Sequence, residues 1–125
     1  FDSLNSDYVT CIYRDSKDRM WIATMSNGLY LIDEERNIFR HFLQDKSVET
    51  SIASSSVRAI MEDHLGRIWI GTGGGLSLLN QRNDKDYSFE NLGYPTLNTN
   101  SMPLNDIYSV FEDSRQRIWI GTNKE

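Results

Sequence analysis

The side chains of this 125-residue chain that could do chemistry are few: two histidines, one cysteine and a set of aspartates. His41 and His64 have no nucleophile and no second ligand at useful spacing, so neither general-base catalysis nor a His-based metal site is expected. Cys11 sits among apolar residues, the usual setting of an inert buried thiol. A lone cysteine also excludes an intrachain disulfide and a multi-cysteine zinc site. Asn83-Asp84-Lys85-Asp86 carries oxygen donors but lacks the spacing and carboxylate count of a calcium loop, and reads as a polar link. Gly73-Gly74-Gly75 is not followed by Lys-Ser/Thr and a helix, as a phosphate loop requires. Asp15, Asp63 and Asp113 occur in three equivalent settings, whereas an active site needs one asymmetric constellation. They read as turn residues. No catalytic residue, metal or cofactor is expected.

That equivalence is the main feature of the chain. RMWIAT at 19–24 returns as RIWIGT at 67–72 and at 117–122, placing Trp21, Trp69 and Trp119 at spacings of 48 and 50 residues. Six residues before each Trp stands one of the aspartates, and nine before it Ile12, Ile60 or Val110. Self-similarity at such a period marks an array in which each repeat is one supersecondary unit stacked on the next. The units span 1–50, 51–100 and, as a half unit, 101–125. An array halting mid-unit is expected to be a piece of a longer one.

Each unit reads as strands. In the second, VRAIME at 57–62 and RIWIGT at 67–72 flank Asp63-His64-Leu65-Gly66, an antiparallel hairpin signal. The Asp carboxylate is expected to accept backbone N–H bonds two or three residues on, and Gly66 to supply a positive φ. Asp18 and Gln116 replace that glycine in the other units. Gln tolerates the left-handed region poorly, so the third hairpin is expected to be the most strained. Glycine-containing links then lead to third strands at 29–33 and 76–80, and polar links to fourth strands at 38–43 and 87–92. A helix over 52–65 is the competing reading, but the equivalent stretches 8–14 and 107–112 are rich in Tyr, Val and Ile.

Four antiparallel strands repeated every 40–50 residues describe the blade of a β-propeller. The fold class is therefore all-β, about two and a half blades of a propeller. First strands with apolar residues on both parities fit the inner strands of a propeller, which are covered on both faces. The tryptophans are expected to be core: Trp69 largely buried between blades, Trp119 more exposed for want of later strands.

Net charge is −5 and the pI near 5.0. Binding to nucleic acid or to an anionic membrane surface, which relies on basic side chains, is disfavoured. No apolar run approaches the ~20 residues that span a bilayer.

The phrase D-x-x-G-R-I-W-I-G-T-x-G-G-L, with Ser51-Ile52, Val57, Ile60 and Glu62-Asp63 ahead of it, resembles the two-component regulator propeller repeats. The resemblance covers essentially the whole chain. It implies a seven-bladed sensor propeller of a bacterial hybrid two-component sensor kinase, periplasmic, non-catalytic, homodimeric when intact, and signalling to a histidine kinase. It also implies the remaining blades as partners and a carbohydrate breakdown product, an oligosaccharide, as ligand. Streptogramin lyase propellers are built from related repeats and provide an enzyme alternative, and a passive protein-interaction scaffold is a third reading.

Propeller geometry puts the links between second and third strands, and those between blades, on one face around the central channel. A sugar site combines an aromatic plate with planar polar groups. Tyr94 with Asn98 and Asn100, joined by Asn27 from the first unit, are the ligand-binding candidates.

Overall fold

A computed structural model describes residues 8–83, 86–92 and 106–122. Every regular element among them is a strand. β1 (Val9–Arg14), β2 (Met20–Thr24), β3 (Leu29–Asp33) and β4 (Ile38–Phe42) form one antiparallel sheet in chain order. β5 (Val57–Glu62), β6 (Ile68–Thr72), β7 (Gly75–Asn83) and β8 (Asp86–Leu92) form a second. β9 (Ile107–Glu112) pairs with β10 (Ile118–Thr122) as the start of a third. These are propeller blades. The alternative helix over 52–65 is replaced by β5, whose Val57, Ala59 and Ile60 are all buried between blades. The hairpin β7–β8 runs further than its apolar residues suggest, pairing Asn80 with Ser88 and Gln81 with Tyr87. An outer strand half in solvent can carry polar residues without losing its ladder.

The hairpin turns are the most uniform part of the molecule. In the first, Asp15 Oδ1 accepts the backbone N–H of Lys17 (3.0 Å) and Arg19 (2.9 Å), while Oδ2 accepts Arg19 Nε (2.8 Å) and the Trp21 indole N–H (2.7 Å). Asp63 repeats the set with Leu65, Arg67 and Trp69, and Asp113 with Arg115, Arg117 and Trp119. The backbone donors stand two and four residues on, rather than two and three. In each unit the arginine also lies over its tryptophan ring, 5.4–5.5 Å from the centroid. One carboxylate thus closes the turn and fixes the rotamers of two large side chains. At the turn exit, Asp18 (φ 63), Gly66 (φ 82) and Gln116 (φ 66) all adopt the left-handed region. Gln116, which gains least from that conformation, marks the third turn as the strained one.

Successive side chains on a strand point to opposite faces, so each blade shows one face to the preceding blade and one to the next. Trp21, Ala23, Leu29 and Leu31 of the first blade meet Ile60, Ile68, Ile70 and Phe89 of the second in the main core, with Val57 and Ile52 of the connecting link. Trp21 stacks on Phe42 (6.3 Å), which meets Phe89 edge-on (5.3 Å). Across the next interface, Gly71 takes the place of Ala23 because Ile107 presses in: a Cβ at Gly71 would stand 2.6 Å from Ile107 Cγ2. Trp69 shares the face of Gly71. It is partly buried, less than Trp21, and among the described residues the third blade offers it two strands where the second blade offers Trp21 four. Trp119, against which no further strand packs among the described residues, is 56% exposed.

Candidate functional site

The inner strands β1, β5 and β9 each carry a bulge near their start, at Thr10, Arg58 and Tyr108. A bulge inserts one unpaired residue and re-aims its side chain. Spacings of 48 and 50 residues make these three positions equivalent, yet their chemistry differs completely. Thr10 Oγ1 donates to Val57 O at 2.6 Å. The Arg58 guanidinium lies 4.4 Å over the Tyr108 ring and donates Nη1–H to Asp106 Oδ1 at 2.5 Å. Asp106 is itself held in the left-handed region (φ 53), its N–H donating to Gly73 O at 3.2 Å.

The links between second and third strands come to the same end. Met25 N–H donates to Tyr8 O and Gly73 N–H to Ser56 O, so each link is sewn to the entry of its own inner strand. Gly28 N–H reaches Ser55 O of the following blade at 2.7 Å. Glycine is required there: with φ 79, a Cβ would stand 2.1 Å from Phe42 O. The rim therefore gathers Tyr8, Thr10, Asn27, Arg58, Asp106 and Tyr108, with Tyr8 74% and Tyr108 46% exposed. The aspartate turns occupy the opposite end.

Of the candidates read from sequence, Asn27 is placed at this rim. Its N–H donates to Thr24 Oγ1 (3.0 Å) and its carbonyl meets His41 Nε2 (2.5 Å). Its side-chain amide makes no hydrogen bond among the described residues. Tyr94, Asn98 and Asn100 lie outside the described residues. Arg58, Asp106 and Tyr108 were missed. The signal that could have found them is a position of the repeat where residue type changes while its neighbours do not.

The histidines are far from one another in role. His41 stacks flat on Tyr30 (4.1 Å, 5° between planes), and His64 sits in the second turn against Glu112. Cys11 is half-buried, and burial pushes its thiol up, away from the thiolate that reactivity needs. Among the described residues no group of three or more His, Cys, Asp or Glu is placed to hold a metal ion. An aromatic plate beside a guanidinium, a carboxylate and an amide can hold a polyhydroxylated ring: C–H edges lie on the plate and hydroxyl pairs on the planar groups.

The fold and its rim define a blade array with a uniform scaffold and an edge whose residues vary from blade to blade. The sequence pattern of the two component regulator propeller matches three times, at 3–26, 51–74 and 101–124. The chain belongs to that family. A Formosa agariphila protein, "Histidine kinase P4", is 31% identical over 85 residues, which make up 67% of this chain and 6% of that protein. The chain thus spans a small part of that relative. The extracellular domain of a putative one component system of B. thetaiotaomicron is similar over 95% of this chain and 22% of its own, at 16% identity and a TM-score of 0.39. No helix among the described residues is long and apolar enough to cross a membrane.

Proposed function

We propose that this chain is part of the periplasmic sensor propeller of a hybrid two-component regulator, a binding module and not an enzyme. The observation that carries the reading is the bulge position of the inner strands, where Thr10, Arg58 and Tyr108 differ on an otherwise constant scaffold. Scaffold positions are fixed by packing, and function is placed on the loops and edges they present. The ligand is an oligosaccharide from polysaccharide breakdown, held at the rim with Tyr108 as plate and Arg58, Asp106 and Asn27 as polar partners. Tyr94, Asn98 and Asn100, on the link that enters the third blade, complete the site. Binding favours one of two arrangements of a dimeric receptor and so biases its histidine kinase, which requires differential affinity for those arrangements.

The test is calorimetric titration of the intact protein with a panel of oligosaccharides released from plant and algal polysaccharides. Arg58→Ala and Tyr108→Ala should each weaken binding at least tenfold and leave the thermal midpoint of Thr10→Ala, a rim control, as the comparison for folding. A sugar bound equally well by wild type and both variants would contradict the rim site.

A further inference from the structure

Asn27 is the one asparagine of the chain that precedes a glycine. Such a pair can modify itself. The glycine backbone nitrogen attacks the side-chain amide carbon of the asparagine, and the new C–N bond closes a five-membered imide. The side-chain nitrogen leaves as ammonia, taking the proton that the glycine nitrogen gives up. Water then opens the imide at either carbonyl, so that aspartate or isoaspartate replaces asparagine. Glycine favours the attack because no side chain crowds its nitrogen and its backbone turns freely.

The fold demands that glycine: Gly28 is at φ 79, and a Cβ there would stand 2.1 Å from Phe42 O. The second blade builds the same link without the amide. Thr72 Oγ1 donates to Gly75 O as Thr24 Oγ1 donates to Gly28 O, both at 2.8 Å. Gly74 N–H donates to Thr72 Oγ1 (3.1 Å) as Asn27 N–H donates to Thr24 Oγ1 (3.0 Å). Gly74 therefore stands where Asn27 stands, and a Cβ on it would meet Ala53 O at 2.7 Å. Of these two links, the first alone joins a side-chain amide to an obligatory glycine.

In the folded chain the nucleophile is occupied. Gly28 N–H donates at 2.7 Å to Ser55 O, on the link between the first and second blades. Thr24 N–H and Oγ1 hold Gly28 O, and His41 Nε2 meets Asn27 O. All four backbone polar groups of the pair are thus bonded, and the glycine nitrogen is not free to turn onto the asparagine side chain. That side chain has no hydrogen bond among the described residues to restrain it. Asn27 is also half-buried, within reach of the water that the second step consumes. Ser55 is itself held by Gln44 N–H, which donates to its Oγ at 2.9 Å. Freeing Gly28 N therefore needs the link to lift from the first blade, a local opening that does not require unfolding.

We propose that Asn27–Gly28 is a latent self-modification site. Ser55 O blocks the reaction, and its release lets Asn27 convert to aspartate or isoaspartate with loss of ammonia. The product carries a negative charge on the rim, at a position where the second blade has no side chain.

Two rates measured on the intact protein test this. Amide exchange at Gly28 N–H gives the fraction of time that its bond to Ser55 is open, as a protection factor. Peptide mapping by mass spectrometry gives the rate of conversion at Asn27, in the folded protein and in the same protein unfolded in urea, at one pH and temperature. Folding should slow conversion by the Gly28 protection factor, to within about tenfold. Ser55→Ala, which removes the Gln44 bond and keeps the Ser55 carbonyl, should change exchange and conversion by the same factor, whatever its size. Conversion as fast in the folded as in the unfolded protein would overturn the proposal. A folded rate more than tenfold above that limit would place the attack in the closed link, and one more than tenfold below it would show that releasing Gly28 is not enough. Either contradicts the proposal, as does a Ser55→Ala protein in which one rate moves without the other.

Discussion

Trp21 and Trp119 make the same bond to the same kind of carboxylate, 2.7 Å to Asp15 and 2.8 Å to Asp113, and both lie under an arginine. Yet Trp21 has no exposed surface and Trp119 is 56% exposed. The Asp–Arg–Trp wiring is therefore local: a hairpin of two strands makes it without help. Burial is not local, because it is conferred by the blade that follows. The wiring sets where the indole points, and stacking decides what that placement is worth. This division suits repeat architectures, whose stability is a sum of unit terms and nearest-neighbour terms.

The largest expected effect separates the three tryptophans. Trp21→Ala should cost about 3–5 kcal/mol, the range for deleting a large buried aromatic. Trp69→Ala should cost less, and Trp119→Ala should stay within about 0.5 kcal/mol in this chain. Chemical denaturation of the three variants gives the order, and equal costs would break the comparison.

Next in size is the close approach of the second and third blades. Gly71→Ala should cost about 1–3 kcal/mol by overpacking against Ile107. The same change made in an Ile107→Ala background, which lacks the Cγ2 that the new Cβ would meet, should cost less, measured by the same denaturation. Ala23, at the equivalent position in the first blade, sits fully buried in the core cluster, so the penalty belongs to the interface and not to the strand.

Acid should act on the turns. Burial pushes the Asp63 carboxyl up, but bonds from the Trp69 indole and from Arg67 and Leu65 outweigh it and hold the group at about 2. Asp113 is held at about 2, chiefly by the Trp119 indole bond and the Arg117 N–H. A carboxyl whose folded value lies below its unfolded value contributes stability that is complete above the unfolded value and lost as pH falls through the folded one. Stability should therefore be flat above about pH 5 and decline between about pH 4 and pH 2. Tryptophan fluorescence against pH would show this, and a decline centred near pH 6 would assign the loss to other groups.

The smallest effect is at the turn exits. Gln116→Gly should gain up to about 1 kcal/mol by relieving a left-handed glutamine, and Gly66→Gln should lose a similar amount. Thermal unfolding of the two variants should move in opposite directions.

The strands were legible in the sequence because three copies cross-checked one another: a residue apolar at positions 12, 60 and 110 is apolar for a structural reason. The six-residue interval from Asp15 to Trp21 was equally visible. Its meaning was not, because the indole N–H finds the carboxylate only once the hairpin register is set. Glu62 was legible only as part of the repeat phrase, because its partner Ser16 lies on another blade, 46 residues away, just as His64 lies 48 residues from Glu112. The rim was the hardest part to read. Arg58 and Tyr108 sit at bulges, which composition does not announce, and their contact joins two blades. Asn27 could be assigned to the rim because its link is short and its place in the blade unambiguous.

Hydrogen exchange at the three indole N–H groups, followed by NMR on this chain, tests the central claim most directly. All three donate to a carboxylate, so a purely local origin of protection would make them exchange alike. The account predicts slow exchange at Trp21, intermediate at Trp69 and fast at Trp119. Equal rates, or slowest exchange at Trp119, would contradict the claim that each blade's tryptophan is protected by the blade that follows it.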